Sequence, residues 1–440
     1  MHRRGPVDAS EKHGQNEPFP SANNGIKEQA GESWKSFVAR QPILDRHKNI
    51  YGYELLFRSS LENIFRCELP DQASSNVLVS SLFLFGLTSI AGERRAFINF
   101  TRNLLTSGYA TFLPPEQSVI EILENVIPDE NIIETCRELK KKGYSLALDD
   151  YPLDGRMDAL IPFADIVKID WGATPPELCR KLADKLVPTG VKLLAEKVET
   201  HEQYRQALDM GYCYFQGFFF CEPEVVSGND IPVLQSNCMM LLREANGDEP
   251  DLIKLERVLM REPSLCYKLL RYLNSAIFYF AGDITSVRHA LSLLGLESIR
   301  KWISLVTLAG MGENKPEALV LMSVVRGRFC ESIAKANGQQ RNSTELFLVG
   351  IFSLIDAILD RPMNKLLSAL PISEEVKATL LGKESPYGST FALVRAYERS
   401  DWDDVTRIAD ILRIGEGTIA KAYIEAVTWA HELVRSGKTR

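Results

Sequence analysis

At 440 residues the chain is too long for one core and predicts two or three domains. Its 45% hydrophobic and 25% charged residues fit an ordinary globular protein, and a net charge of −7 with no basic run weighs against DNA or RNA as main partner. Eight cysteines without a C-x-x-C pair predict packed free thiols in a reducing compartment, the cytoplasm, and indicate neither a disulfide frame nor a zinc site.

The start, Met1-His2-Arg3-Arg4, runs into polar residues and so predicts no signal peptide. Residues 1–35 are rich in Gly, Asn, Glu and Ser and predict a flexible polar tail. Short apolar runs then recur between helical patterns: FVAR near 37, NIYGYELLF near 50, RAFINF near 95, SVIEIL near 118 and YSLALDD near 144. DIVKID near 165, VKLLAE near 191 and YFQGFFF near 214 complete the series. Strand-then-helix alternation repeated about eight times predicts a (β/α)8 TIM-like barrel over 36–228, with an open doubly wound sheet as second choice. The most apolar stretch, 77–91, carries Ser80, Ser81, Thr88 and Ser89 and is shorter than the ~20 residues of a membrane span, so it predicts a buried helix.

A turn at Ser227-Gly228-Asn229-Asp230, followed by Pro232, marks the predicted boundary. From 229 to 440 the periodicity is helical throughout, as in LIKLERVLM over 252–260, and predicts an all-α domain.

Polar residues stand at the ends of the strand runs: Glu54, Asn99, Glu124, Asp149, Asp150, Lys168, Glu196 and Gln216. In a barrel these ends converge on one face, where the active site sits. Carboxylates so crowded ionise together only if cations neutralise them, and an all-oxygen set without clustered His or Cys suits Mg2+ or Mn2+. Two such ions suit attack of water on a phosphodiester. Capping of the next helix explains any one of these acids as readily, but not eight strand-end positions at once.

The motifs taken in order resemble the EAL domain, a family of cyclic di-GMP phosphodiesterases. QPILDRHKNIYGYELLFR resembles its opening Q-P-I and G-x-E-A-L-x-R, with Glu54-Leu55-Leu56 as the signature and Arg58 in the arginine position. FINF, EILE, ALDD, VKID, AEKVET and FQGFFFCEP resemble the strand ends that follow. The resemblance implies Glu54, Asn99, Glu124, Asp149, Asp150 and Glu196 as ligands of two metals, Mg2+ or Mn2+. It further implies that Lys168 and Glu196 are catalytic, Lys168 orienting or helping to deprotonate the attacking water. Gln41, Arg58, Gln216 and Pro223 would contact substrate, Glu199 completes the AEKVET match, and the product would be linear pGpG.

Departures from the family pattern predict weak or absent turnover. The Phe-Gly-Thr/Ser-Gly loop after the Asp pair is replaced by Tyr151-Pro152-Leu153-Asp154-Gly155. The loop-anchoring glutamate three residues after the metal ligand falls, on this alignment, at Ile127; Leu55 and Lys197 replace a small Ala and a Gly.

The helical half resembles the HDOD domain through LERVLMREPSLCYKLLRYLNSAIF and DITSVRHALSLLGLESIRKWISL. After Gly350, where an HD hydrolase has its His-Asp pair, the chain reads Ile351-Phe352-Ser353-Leu354-Ile355-Asp356, and His289 and His431 stand far apart. No second catalytic centre is indicated; a bacterial signalling protein is, with an unidentified protein partner at the HDOD domain and a homodimer through the EAL domain. Three functions compete: a cyclic di-GMP phosphodiesterase, a receptor that binds the nucleotide without cleaving it, and a protein-interaction scaffold.

Overall fold

The computed structural model describes residues 37–58, 86–223, 240–247, 251–260, 287–311, 315–370 and 372–438. The predicted tail, the predicted boundary turn and the first part of the apolar stretch lie outside these residues. The end of that stretch is helical, Leu87–Ala91, with Ile90 and Ala91 buried.

Each of the eight apolar runs forms a strand: β1 Phe37–Asp45, β2 Ile50–Arg58, β3 Arg95–Phe100, β4 Ser118–Ile122, β5 Ser145–Leu148, β6 Ile166–Asp170, β7 Lys192–Glu196 and β8 Tyr214–Gln216. They close in sequence order into a barrel. Strands β2 to β8 pair in parallel, but β1 runs antiparallel to both β2 and β8. The first βα unit expected from the alternation is therefore a hairpin. Its turn is too short for a crossover: the Asp45 carboxylate accepts from the His47 and Asn49 amides at 2.8 and 2.9 Å, and Lys48 takes φ +62°.

Alternation decides which side chains fill the barrel. Phe97, Val119, Ala147, Ile166, Leu194 and Tyr214 form the interior cluster, with Ile43 of β1. Their neighbours Ile98, Ile120, Leu146, Val167, Leu193 and Phe215 point outward into the larger core beneath the helices. The covering helices start and stop on local signals. Asp129 caps Glu130–Lys141 by accepting from the Ile132 amide, and Lys140 and Lys141 sit at the negative end of its dipole. Thr200 and Gln203 form a capping box on His201–Asp209.

The helical half has a centre in two helices, Glu317–Ala336 and Ser343–Phe352. They cross at glycine: a Cβ on Gly350 would lie 2.4 Å from the Arg326 carbonyl carbon and the Gly327 nitrogen. Around them stand Val287–Met311, kinked at Gly295, then Gly388–Glu398, Trp402–Leu412 and Glu416–Lys438. No helix among the described residues is long and apolar enough to cross a membrane.

β1 and β2 are joined by a turn, and among the described residues the helical half packs on β1. Phe37 packs on Trp402, and the Tyr397 hydroxyl donates to the Val38 carbonyl at 3.2 Å. The Arg40 amide donates to the Tyr423 hydroxyl at 3.3 Å, and Tyr397 and Tyr423 both lean on Phe329. Phe37, Phe329, Tyr397 and Tyr423 are all buried, each contributing about 2 kcal/mol of hydrophobic stabilisation, so the two halves share one core. Cys136, Cys179 and Cys330 are buried free thiols, as the cysteine spacing predicts.

Candidate active site

The polar residues of the barrel mouth stand two positions beyond the interior apolar residues, on the same face of each strand. Asn99 follows Phe97, Glu121 follows Val119, Asp149 follows Ala147, Lys168 follows Ile166, Glu196 follows Leu194 and Gln216 follows Tyr214. Glu54 completes the ring from β2.

At the centre lies the Lys168 ammonium, fully buried. It is 2.7 Å from Asp149, 2.8 Å from Glu121, 2.9 Å from Glu196 and 3.6 Å from Glu54. Glu54 is fixed further by Asn99, which donates to it at 3.2 Å, and by Gln216 at 2.6 Å; the same Gln216 amide also donates to Gln41 at 3.0 Å. Gly217 holds this corner: its φ is +139°, and a Cβ there would lie 2.1 Å from the Val198 carbonyl oxygen, so only glycine fits.

Four carboxylates around one ammonium leave excess negative charge in a buried space. Burial pushes Glu121 well above the usual carboxylate range despite Lys168, and pushes Glu196 up to about 8. Burial likewise raises Asp149 and Asp150. Glu54 goes the other way: burial opposes its ionisation, but Lys168, Gln216 and Asn99 together hold it below its usual value. Burial also disfavours charge on Lys168, yet the four carboxylates overcome it and keep the ammonium protonated.

Glu121, not Glu124, belongs to this cluster, which corrects the expected ligand set. Glu121 is fully buried, whereas Glu124 lies past the end of β4, half-buried and outside the ring. Strand alternation required this, since Glu121 shares the parity of Val119 and Glu124 does not. Glu124 stands three residues after Glu121, and Ile127 is 73% exposed, away from the cluster.

The other expected residues are placed as follows. Asp150 takes φ +39° and lines the mouth beside Asp149. Glu199 lines the same cleft, exposed, and its amide is held by Gln203. Pro223 is half-buried at the end of the described barrel; Arg58 ends β2 and its side chain lies outside the described atoms. Lys197 turns out of the ring to pair with Asp170 at 2.5 Å. Phe219 and Phe220 are core, while Phe218 faces the cleft.

The segment after Asp150 is fastened rather than loose. The Tyr151 amide donates to the Lys168 carbonyl at 3.1 Å. The Tyr151 hydroxyl bonds Asp158, and Lys185 reaches that hydroxyl at 3.2 Å and Asp158 at 2.7 Å.

Among the described residues, no group of three or more His, Cys, Asp or Glu side chains stands ready-spaced around a metal position. The carboxylates converge on Lys168 instead, yet the donor set fits a hard divalent cation. The Asn99 Oδ1, the Glu121 Oε2 and the Gln216 Oε1 are buried without a hydrogen bond, and Glu121 Oε1 has the Lys168 ammonium beside it. Unsatisfied oxygens in a negative pocket are what such a cation requires.

The mouth opens into a cleft of about 930 Å3 lined by Glu54, Asp149 and Glu196 from the barrel and by Arg326, Arg395 and Arg399 from the helical half. That volume is in the range of sites that enclose small ligands.

The EAL domain family model matches residues 80–223, and the HDOD domain model matches residues 231–363. The uncharacterized protein YuxH of Bacillus subtilis is 34% identical over 406 residues, 90% of this chain and 98% of its own. The cyclic di-GMP phosphodiesterase CdgJ of Vibrio cholerae is 33% identical over 405 residues, 91% of this chain and 94% of its own. Of solved structures, BlrP1 of Klebsiella pneumoniae, with calcium and cyclic di-GMP, matches at 22% identity and a TM-score of 0.37, over 44% of this chain and 57% of that one. Two relatives above 30% identity along nearly their whole length, and two domain models in the same order, lead to one conclusion: the chain belongs to the family in which an EAL domain is followed by an HDOD domain.

Proposed function

We propose that the protein is a metal-dependent phosphodiesterase of cyclic di-GMP, yielding linear pGpG, whose HDOD half conveys the state of the barrel to a protein partner in the cytoplasm. One observation carries this reading: the Lys168 ammonium surrounded by Glu54, Glu121, Asp149 and Glu196 at the floor of a nucleotide-sized cleft. The name of CdgJ, similar along most of both chains, supports the same substrate.

Glu54, Asn99, Glu121, Asp149, Asp150 and Glu196 would hold Mg2+ or Mn2+. When bound, these ions would supply positive charge for the phosphoryl oxygens and for the attacking water. Lys168, kept protonated by its neighbours, is a cation that orients and screens, not a base. Glu196 lines the cleft, and its ionised form, which bound cations would favour over the raised resting state, would take a proton as the water oxygen attacks phosphorus, the P–O3′ bond breaks and the released 3′ oxygen takes a proton from solvent. Gln216 and Asn99 hold Glu54 in position, and Gln41 and Arg58 stand on the strands flanking the mouth.

A second reading, a receptor that binds without cleavage, is favoured by the tether from Tyr151 to Asp158 and Lys185. A segment tethered beside Asp149 and Asp150 resists closing over a bound nucleotide, and misplacement of about 1 Å can cost ~100-fold in rate. Chromatography of cyclic di-GMP incubated with purified protein and Mn2+ separates the two. A pGpG peak absent with Glu54→Ala supports hydrolysis; a flat trace with calorimetric binding leaves the receptor, and no binding removes both.

A further inference from the structure

We propose that the HDOD half completes the ligand site, with Arg395 and Arg399 forming a subsite for the phosphodiester of the nucleotide that is not at the Lys168 centre. The inference rests on the nucleotide reading above and extends it to residues outside the barrel.

Arg395 lies in the last turn of Gly388–Glu398 and Arg399 is its C-cap, so the two guanidiniums stand one turn apart on one side of the helix. Both line the cleft that Glu54, Asp149 and Glu196 line from the barrel. Basic residues at a helix C-terminus are favoured by its dipole, but that leaves two positive groups side by side with Glu398 as a counter-charge they must share. Their neighbour Glu398 is already taken, bound to Arg326 at 2.7 Å inside the core. Among the described residues no carboxylate pairs with Arg395 or Arg399, and Arg326 adds a third positive charge nearby. Partial burial, then the Arg399 and Arg326 charges, weaken the ordinary hold of Arg395 on its proton, and Glu398, bound to Arg326, offsets this only in part.

The barrel side of the same wall is aromatic. The Arg399 guanidinium lies 6.0 Å from the centre of the Phe218 ring, which leaves the barrel directly after Gln216 and Gly217. A cleft with a carboxylate and ammonium floor, one aromatic edge and a pair of forked cations suits a ligand with two phosphates and planar bases. It also makes the ligand a bridge: occupancy ties the barrel mouth to the helix that reaches β1 through Tyr397.

Calorimetric titration of cyclic di-GMP into the full-length protein in Ca2+ tests the proposal, using wild type, Arg395→Gln/Arg399→Gln and Arg395→Lys/Arg399→Lys. The expected result is at least a 10-fold weaker Kd for the glutamine variant and a partial recovery for the lysine variant. Affinity of the wild type should also fall more steeply between low and high salt than that of the glutamine variant. Both residues are largely accessible, Arg395 with its guanidinium 5.9 Å from the Phe391 ring centre, so melting temperatures should stay close; if the double variant fails to fold, Arg399→Gln alone decides by the same criterion. Wild-type binding that the glutamine substitutions leave within two-fold overturns the subsite and spares the nucleotide reading. Absence of binding by wild type overturns both.

Discussion

His431 Nε2 lies 2.8 Å from the Arg40 guanidinium, 391 residues earlier in the chain, and accepts its hydrogen bond. The contact joins the last long helix to β1, with Arg40 also donating to the Ile90 carbonyl at 2.5 Å and lying 4.3 Å from the Tyr53 ring centre. Burial, then the Arg40 charge, depresses the imidazole to about 3. An unfolded histidine titrates near 6.5, so below that pH the unfolded chain binds the extra proton. Stability from this group is therefore complete above pH ~6.5 and declines as pH falls toward 3. Urea unfolding should show about 1–2 kcal/mol less stability at pH 5 than at pH 7 from this site, a difference that His431→Gln removes. An unchanged pH slope in the variant would contradict the buried neutral imidazole.

Lys168 is the counter-charge of the whole mouth. Replacing it by methionine leaves four buried carboxylates without an ammonium, a change expected to cost about 3 kcal/mol at pH 7. The loss should shrink at pH 5, where the carboxylates take up protons, and with added Mn2+. Thermal unfolding in these three conditions checks the order; equal losses in all three would rule out the charge argument.

Lys197 holds φ +52°, a left-handed conformation that costs a side-chain residue about 1 kcal/mol relative to glycine. Its pair with Asp170 involves a lysine 63% exposed and stabilises little. Lys197→Gly is expected to raise stability slightly, by up to about 1 kcal/mol, and to tighten Mn2+ binding, since Asp150 and Asp170 lose a nearby cation. Urea midpoints and a Mn2+ titration measure both; weaker Mn2+ binding would show that Lys197 supports the site.

Gly350→Ala forces a methyl group against the backbone of Arg326 and Gly327, which have no flexible end to yield. A loss of about 3 kcal/mol is expected. Circular dichroism melting of the variant checks it, and a shift below 1 °C would mean that the two helices separate freely at this crossing.

Much of this was legible in the sequence, for reasons visible in particular residues. Runs such as AFINF and DIVKID carry both faces of a buried parallel strand, so all eight strands could be placed from them. Polar endings identified Glu54, Asn99, Asp149, Lys168, Glu196 and Gln216, because a polar residue ending an apolar strand has few places to go but the barrel mouth. Glu121 is less legible, because Glu124 is the last acid of EILE and only counting by twos from Val119 selects Glu121. The antiparallel β1 was missed because apolar pattern carries no direction; the short Asp45–Asn49 turn was its signal. Docking of Tyr397, Tyr423 and His431 on β1 joins residues more than 350 apart, and no local pattern encodes such a contact.

The most direct test of the centre is the rate of pGpG formation in saturating Mn2+ by wild type and Glu121→Gln, the residue that strand alternation and burial place against Lys168. Loss of a hard oxygen ligand predicts at least a ~100-fold slower rate for Glu121→Gln with the fold intact. A Glu121→Gln enzyme as fast as wild type would contradict the assignment of the Lys168 cluster as the hydrolytic centre.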